Sequence, residues 1–195
     1  DIIIPDASAN LVWTYQAYKN QRKQKIFTAL NHSPMGYSVA AALGAALPMK
    51  GNNNVIAIIG DGSMQMNIQE IENIKKYNLP IKVFIINNNG YGMVKQTIDT
   101  WLKGNYVGCD ENSGLSLPNF CKVFNAYGIK TTKINNHNEM KERINDVINY
   151  KGPIMCEVFL DKDERIVPKT RAGDKLYDMI PKLSDEELKS NLINI

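Results

Sequence analysis

Two short polar segments contain the residue types that bind divalent cations and phosphate groups. Gly60-Asp61-Gly62-Ser63 offers a carboxylate, and the run Asn87–Gly92 offers the amide oxygen of Asn88. Both are hard oxygen donors that suit Mg²⁺ or Ca²⁺. Mg²⁺ typically takes one or two side-chain oxygens and fills its remaining positions with phosphate and water. The pair therefore indicates a metal-bridged diphosphate site.

The glycines around these donors fit the same interpretation. Gly60, Gly62, Gly90 and Gly92 let the backbone approach a ligand without a Cβ atom in the way. Gly62 and Ser63 are expected to open a helix, where free N–H groups and the helix dipole favour phosphate oxygens. Either segment alone is more often a simple turn. Their positions after two consecutive apolar runs favour binding.

Those apolar runs must be the strands that carry the two segments. Val55–Ile59 and Ile81–Ile86 are rich in β-branched residues, as strands covered on both faces are. A helix is predicted between them over Asn67–Tyr77, with Ile68, Ile71 and Ile74 on one face. A right-handed crossover would make the strands neighbours and place both polar segments at one edge of the sheet, where ligands bind.

The rest of the chain alternates in the same manner. Further strands are predicted at Ile2–Ile4, Lys25–Ala29, Lys130–Lys133 and Pro153–Leu160, and further helices at Ser8–Lys19, Gly36–Leu47, Met93–Trp101, Pro118–Tyr127 and Asn138–Tyr150. We therefore expect residues 1–160 to form an α/β domain, a three-layer doubly wound parallel sheet with helices on both faces. Residues 161–195 are expected to be an irregular tail packed on the same domain, with a capping box at Ser184 starting a short helix.

Composition narrows the class of protein. The 195 residues are 44% hydrophobic and 22% charged with a net charge of +3, which is ordinary for a soluble globular protein and too small to indicate nucleic-acid binding. The basic cluster Lys19–Lys25 contains no aromatic residue, and no apolar run is long enough for a membrane helix. Three cysteines without C-x-x-C spacing predict neither a disulfide nor a metal site, and so a reducing cytoplasm. Because the chain starts at Asp1 without a basic leader, we expect a piece of a longer polypeptide.

The motifs resemble those of thiamine-diphosphate enzymes, and of acetolactate synthase in particular. Asn88 stands 27 positions after Asp61, the spacing of the thiamine-diphosphate signature. The similarity extends over essentially the whole chain and is carried further by Pro34–Tyr37, Ala40–Ala46, Met66–Glu70, Leu79–Val83 and Gly92–Gln96.

The resemblance implies roles for particular residues. It implies that Mg²⁺ is bound by Asp61, Asn88 and the backbone carbonyl of Gly90. It implies a thiamine-diphosphate site formed by Asn10, Ser33, Met35, Gly60, Gly62, Ser63 and Tyr91. Within that set, Met35 would bend the cofactor, and Ser33 and Met35 would meet its aminopyrimidine ring through backbone groups. Met93 and Thr97 would line the substrate pocket, and His32 is a candidate for orienting substrate or moving a proton.

The implied reaction is decarboxylation of a 2-oxo acid followed by joining of the remaining fragment to a second carbonyl compound. In the family a separate pyrimidine-binding domain supplies the activating glutamate, so this chain alone is expected to be inactive and to work in a homodimer or homotetramer. Two departures from the family pattern bear on binding. Ala9 and Asn10 stand where the family has Gln-His, and Thr97 stands where the family has Trp.

Other functions remain open at this stage. One is the β subunit of a two-subunit decarboxylase of the sulfopyruvate or phosphonopyruvate type, whose subunits are single domains of about this size. Another is a non-catalytic regulatory or assembly module that keeps the fold. A nicotinamide-binding domain is disfavoured because no G-x-G-x-x-G follows a strand.

Overall fold

The computed structural model describes residues 1–21, 23–49, 53–170 and 173–192. Arg22, within the basic cluster, lies outside the described residues. Two compact units are present, Asp1–Glu164 and Arg165–Ile195. That the second unit packs on the same domain as the first stays a prediction.

The first unit is built on a six-stranded sheet in which every pairing is parallel. Its strands are β1 (Ile2–Pro5), β2 (Lys25–Ile26), β3 (Val55–Gly60), β4 (Ile81–Asn87), β5 (Lys130–Ile134) and β6 (Ile154–Phe159). They lie in the order β2-β1-β3-β4-β6-β5. The predicted pairing of β3 with β4 is confirmed, with Val55 opposite Ile81 and Gly60 opposite Ile86. The predicted parallel α/β fold is likewise confirmed.

Helices follow the strands. They are α1 (Ala9–Ala17), α2 (Tyr37–Ala46), α3 (Asp61–Met64), α4 (Glu70–Lys76), α5 (Gly92–Trp101), α6 (Phe120–Ala126) and α7 (His137–Asn149), with single 3₁₀ turns at Gln65–Asn67 and Glu111–Ser113. The helical path after β3 begins at Asp61, where the end of the strand turns directly into a helix, which confirms the expectation that Gly62 and Ser63 open one. The longer helix α4 starts at Glu70, three residues after the predicted Asn67, because a 3₁₀ turn comes first.

Side chains on the two faces of the sheet enter two separate hydrophobic clusters. On β4, Val83 and Ile85 belong to the larger cluster and Phe84 to the smaller one. Because successive strand residues point to opposite faces, the clusters lie on opposite sides of the sheet. The larger one contains buried residues of α2, α4 and α6, and the smaller one contains Val147 of α7. Helices therefore cover both faces, as predicted.

The second unit is not as irregular as the sequence suggested. Strands β7 (Lys169–Thr170) and β8 (Met179–Ile180) form a two-stranded antiparallel sheet within the stretch expected to lack regular structure. Helix α8 (Asp185–Asn191) follows, and the Ser184 hydroxyl accepts the Glu187 N–H at 3.2 Å. The short helix and the Ser184 cap are thus confirmed, whereas the reciprocal Glu187 bond of the predicted capping box is not among the bonds found in the part of the chain that the structure describes. Among the described residues, no helix combines the length and the apolar character needed to cross a membrane.

Candidate functional site

A cleft opens at the carboxyl edge of the central strands, where β1, β3 and β4 end. Strand order reverses at β1, which has β2 on one side and β3 on the other, and such reversals open crevices that bind ligands. Most of the predicted site residues line this cleft: Asn10, Met35, Gly60, Asp61, Gly62, Ser63, Asn88, Gly90, Tyr91 and Met93. The structure therefore brings both polar segments into one site.

Asp61 is the central charged group of the cleft. It is the first residue of α3 and is only 3% exposed. One carboxylate oxygen accepts the Gly62 N–H at 2.7 Å, and the other accepts the Gly90 N–H at 3.1 Å. The second bond links the loop after β3 directly to the loop after β4. Asp61 thus ties the two predicted segments to each other.

The environment of Asp61 disfavours its charge. Burial raises the pKa of the Asp61 carboxyl from 3.8 to about 6, although backbone N–H groups that bond to it, led by that of Gly62, act in the opposite direction. Desolvation penalises an ionised carboxylate unless a cation or sufficient hydrogen bonds offset the loss of water. A bound divalent cation would supply that compensation, so the carboxylate suits a metal.

Asn88 is held over the first residue of α5. A Cβ atom added at Gly92 would lie 2.5 Å from Asn88 Nδ2, so only glycine leaves room for this amide. Asn88 is half-buried and lines the cleft together with Asp61. Gly92, the glycine directly before Met93, is therefore a spacer for the amide, in addition to opening the helix.

Tyr91 packs against the start of α3. A Cβ atom at Gly62 would fall 2.0 Å from the ring carbon Cε1 of Tyr91, which makes glycine obligatory for this packing. The Tyr91 N–H donates to the Cys109 carbonyl at 2.9 Å. The Gly62 N–H is used by Asp61, and the neighbouring Ser63 and Tyr91, which also line the cleft, each carry a hydroxyl group.

Asn10 enters the cleft from the first turn of α1. Its Nδ2 donates to the Ala7 carbonyl at 2.8 Å, which uses one of the two amide hydrogens. Its Oδ1 is buried and has no hydrogen-bond partner among the described residues. One N–H and one carbonyl oxygen of Asn10 thus remain for a bound molecule at the wall of the cleft.

Met35 is positioned by a buried carboxylate that the sequence patterns did not single out. Asp6, which directly follows β1 and is 1% exposed, accepts the Gly36 N–H at 3.0 Å and the Ser38 N–H at 2.8 Å. These bonds satisfy free N–H donors at the start of α2 and hold Met35, the residue before Gly36, at the cleft. The sequence did contain an indication of this role, because Asp6 also stands at the carboxyl end of a predicted strand.

Three other predicted residues are not among those that line the cleft. His32 is exposed, and Ser33 is half-buried with a left-handed φ of 41°. Thr97 lies on the exposed side of α5, where its hydroxyl donates to the Met93 carbonyl at 3.0 Å. Their assigned roles stay predictions. Residues that line the cleft and were not considered for it from the sequence are Ser8, Trp13, Ile86 and Val94.

The donor set fits Mg²⁺ held jointly with a diphosphate. Within the described ranges, His, Cys, Asp and Glu side chains form no group of three that could hold a metal by themselves. A cation here would take its ligands from one carboxylate, an amide oxygen, a backbone carbonyl, phosphate and water. That sparse protein contribution is typical of Mg²⁺ bound together with a phosphate ligand.

Comparisons with known proteins agree with this site. Residues 6–158 match the family described as "Thiamine pyrophosphate enzyme, C-terminal TPP binding domain". The chain is 32% identical over 173 residues to acetolactate synthase 1, chloroplastic, of Zea mays, a match that covers 87% of the chain and 27% of that protein.

Two algal and bacterial relatives give similar values. The chain is 35% identical over 175 residues to the acetolactate synthase large subunit of Porphyra purpurea, covering 90% of the chain and 29% of that protein. It is 33% identical over 180 residues to the large subunit of Lactococcus lactis subsp. lactis (strain IL1403), covering 92% and 30%. The chain thus spans less than a third of the length of these relatives.

Proposed function

This chain belongs to the thiamine pyrophosphate enzymes, as their C-terminal cofactor-binding domain, and from this premise we propose that it holds thiamine diphosphate through Mg²⁺ in a 2-oxo-acid decarboxylating carboligase. Acetolactate synthases are the relatives that match it, which supports a reaction of that type. The proposal concerns a larger assembly, because the chain corresponds to 27–30% of the length of these relatives.

One observation carries the proposal. The bond from the Gly90 N–H to Asp61 Oδ2, at 3.1 Å, joins the two signature segments inside a single cleft. Two unrelated Gly-rich turns would not be expected to lie side by side and bond to the same buried carboxylate. This geometry supports Asp61, Asn88 and the Gly90 carbonyl as the protein ligands of the cation.

The family resemblance implies roles for the remaining cleft residues. Ser63 and Tyr91 would contact the diphosphate, and Asn10 retains one N–H that can donate to a phosphate oxygen. Asn10 thereby replaces part of the family's Gln-His pair. Met35 provides a bulky apolar surface at the cleft, held by the start of α2, against which the cofactor would bend.

Thiamine diphosphate, when bound, supplies the carbon nucleophile that adds to the ketone of a 2-oxo acid and accepts the electron pair released with CO₂. The chain's own contribution would be to bind and orient. Asp61 and Asn88 would fix the cation, and Met93 together with Thr97 would border the space for the second carbonyl substrate. With threonine in place of tryptophan, this space has less apolar surface and is more polar.

The active site would be completed by a pyrimidine-binding domain from the same polypeptide or from a partner chain. Asp61 would act only at the diphosphate end of the cofactor. The activating glutamate of the family has no counterpart among the cleft residues described above. We therefore propose a homodimeric or homotetrameric assembly in which two domains meet over the cofactor.

A calorimetric titration tests the proposal. Thiamine diphosphate would be added, with and without Mg²⁺, to the longest natural form of the protein. We expect binding that requires Mg²⁺ and that is lost in Asp61→Ala, because the variant removes the only carboxylate of the proposed metal ligands. Asp146→Ala, which changes an exposed carboxylate on α7, is the matched control and should bind as the wild type does. Binding by Asp61→Ala at wild-type strength would refute the metal assignment.

A further inference from the structure

A carboxylate is buried in the middle of the sheet, away from the cleft. Glu157 lies on β6 between β4 and β5, opposite Ile85 on one side and Lys133 on the other, and is 3% exposed. A central strand position of this kind normally holds an apolar residue. Burying a carboxylate there is unfavourable unless its oxygens receive hydrogen bonds, so its partners indicate its purpose.

Three donors converge on Glu157. Asn87 Nδ2 donates to Oε1 at 2.8 Å, and Cys121 Sγ donates to Oε2 at 3.3 Å. Lys133 Nζ lies 3.9 Å from Oε2. Burial, followed by the nearby Glu157, raises the pKa of the Cys121 thiol, which stays protonated and able to donate. An ionised carboxylate only accepts hydrogen bonds and therefore suits a position surrounded by donors.

The bond to Asn87 decides which way its amide faces. A primary amide has a donating end and an accepting end. Because Asn87 donates through Nδ2 to Glu157, its Oδ1 faces the opposite way. That oxygen accepts the Asn89 N–H at 2.8 Å. The orientation of a buried amide is thereby passed to the backbone of the loop after β4.

Asn89 needs this support. Its φ is 56°, in the left-handed region, which costs a non-glycine residue on the order of 1 kcal/mol. Asparagine tolerates this conformation better than most residues, and the bond from its N–H to Asn87 Oδ1 holds the backbone in place. The residue lies between Asn88 and Gly90, the two proposed metal ligands of this loop, so its φ sets the direction of both.

We infer that Glu157 is a positioning residue which, through Asn87, holds the metal loop, defined as Asn88–Gly90, in the conformation that presents its ligands. Glu157 touches neither cation nor cofactor. The inference rests on the proposed function for the identity of the ligand, whereas the relay itself is a property of the protein alone. It assigns a role to a glutamate that lies in a different strand from every signature residue.

The first experiment needs no ligand. Amide hydrogen exchange at Asn89 would be measured by NMR in the wild type, Glu157→Leu and Glu157→Gln. We expect protection in the wild type and its loss in Glu157→Leu, which has no acceptor for Asn87. Glu157→Gln should retain protection, because glutamine keeps one acceptor oxygen while Lys133, whose side chain is 43% exposed, can turn to solvent.

The second experiment measures binding of thiamine diphosphate with Mg²⁺ to the same proteins in a double-mutant cycle with Asn87→Ala. Glu157→Leu should weaken binding about tenfold or more, as loss of outer-shell support does in metal sites. If Glu157 acts through Asn87, the double variant should bind no worse than Asn87→Ala alone. General destabilisation would instead give additive losses.

A matched control separates support of the loop from stability. Lys82, at the other end of β4, is fully buried and donates to the Gly152 carbonyl at 2.7 Å. Lys82→Met should lower the free energy of unfolding without weakening cofactor binding. A folded Glu157→Leu that keeps Asn89 protected and binds as the wild type does overturns the inference and leaves the proposed function intact. A full-length wild type that does not bind the cofactor with Mg²⁺ overturns the proposed function, whereas the relay to the metal loop is then decided by hydrogen exchange at Asn89 alone.

Discussion

The buried carboxylate of Asp61 should make the ligand-free protein less stable as the pH rises. Its pKa is about 6 in the folded protein and 3.8 as an ordinary value, so the folded state binds a proton more tightly than the unfolded state. Tighter proton binding by the folded state therefore stabilises it; this contribution of Asp61 is fully present below pH 3.8 and is lost as the pH rises through 6. At 1.36 kcal/mol for each pKa unit, the free energy of unfolding falls by about 3 kcal/mol across this window.

Asp61→Asn isolates this contribution because the variant cannot ionise. The substitution also has a constant cost, since asparagine offers one acceptor where the carboxylate bonds two N–H groups, those of Gly62 and Gly90. A buried N–H without a partner costs about 1–3 kcal/mol at every pH. The variant should therefore be the less stable protein at pH 4, and the difference should close or reverse by pH 7.

Urea unfolding at a series of pH values between 4 and 7.5, without Mg²⁺ or cofactor, measures the effect. The informative quantity is the difference between the wild-type and variant profiles, because all other titrating groups cancel in it. Asp146→Asn, at an exposed position of α7, should follow the wild-type profile. Parallel profiles for the wild type and Asp61→Asn over this range would refute the reasoning.

Four further substitutions test packing and specificity. Gly92→Ala should displace the Asn88 amide, which lies 2.5 Å from the added Cβ, and weaken Mg²⁺-dependent cofactor binding in calorimetry. Gly44→Ala, where an added Cβ meets nothing within 4 Å on the exposed side of α2, should leave binding unchanged and raise the free energy of unfolding by about 1 kcal/mol. Phe124→Ala should lower that free energy by about 3–5 kcal/mol in urea unfolding, since Phe124 is fully buried in the larger cluster; a loss below 1 kcal/mol would contradict this packing. Thr97→Trp should shift acceptor preference toward pyruvate in product analysis of the assembled enzyme, and an unchanged product profile would count against the pocket assignment.

The sequence predicted the sheet well because its central strands are unbroken apolar runs. Val55–Gly60 and Ile81–Asn87 differ from their expected bounds by a single residue at one end. The bounds of the helix after β3 were predicted less well for a physical reason. The chain passes from α3 through a 3₁₀ turn at Gln65–Asn67 into α4, and the spacing of the isoleucines gives no sign of where one helical segment ends and the next begins.

Asp61 and Asn88 could be selected from the sequence because each lies in a segment that directly follows a predicted strand, and the structure places both in one cleft. Asp6 follows β1 in the same way but was not selected, because it lacks the glycines that flank the other two donors. Glu157 could not be selected either, because a single charged residue inside an apolar strand gives no local sign of whether it faces solvent or donors. The role of Glu157 depends on its bond to Asn87, which lies 70 residues earlier in the chain. Pairings over such distances have no periodic pattern by which a single sequence could indicate them.

The place of β6 in the sheet has a consequence for the chain during synthesis. Although β6 is the last of the six strands to be made, it lies in the interior, between β4 and β5. Strand β5 pairs with β6 and with no other strand among the described residues. Until the ribosome has released Phe159, β4 presents an open edge and β5 has nothing to join. A nascent chain halted in this interval would expose the apolar edge of β4 to other chains, which makes this the period when the protein most needs protection from aggregation.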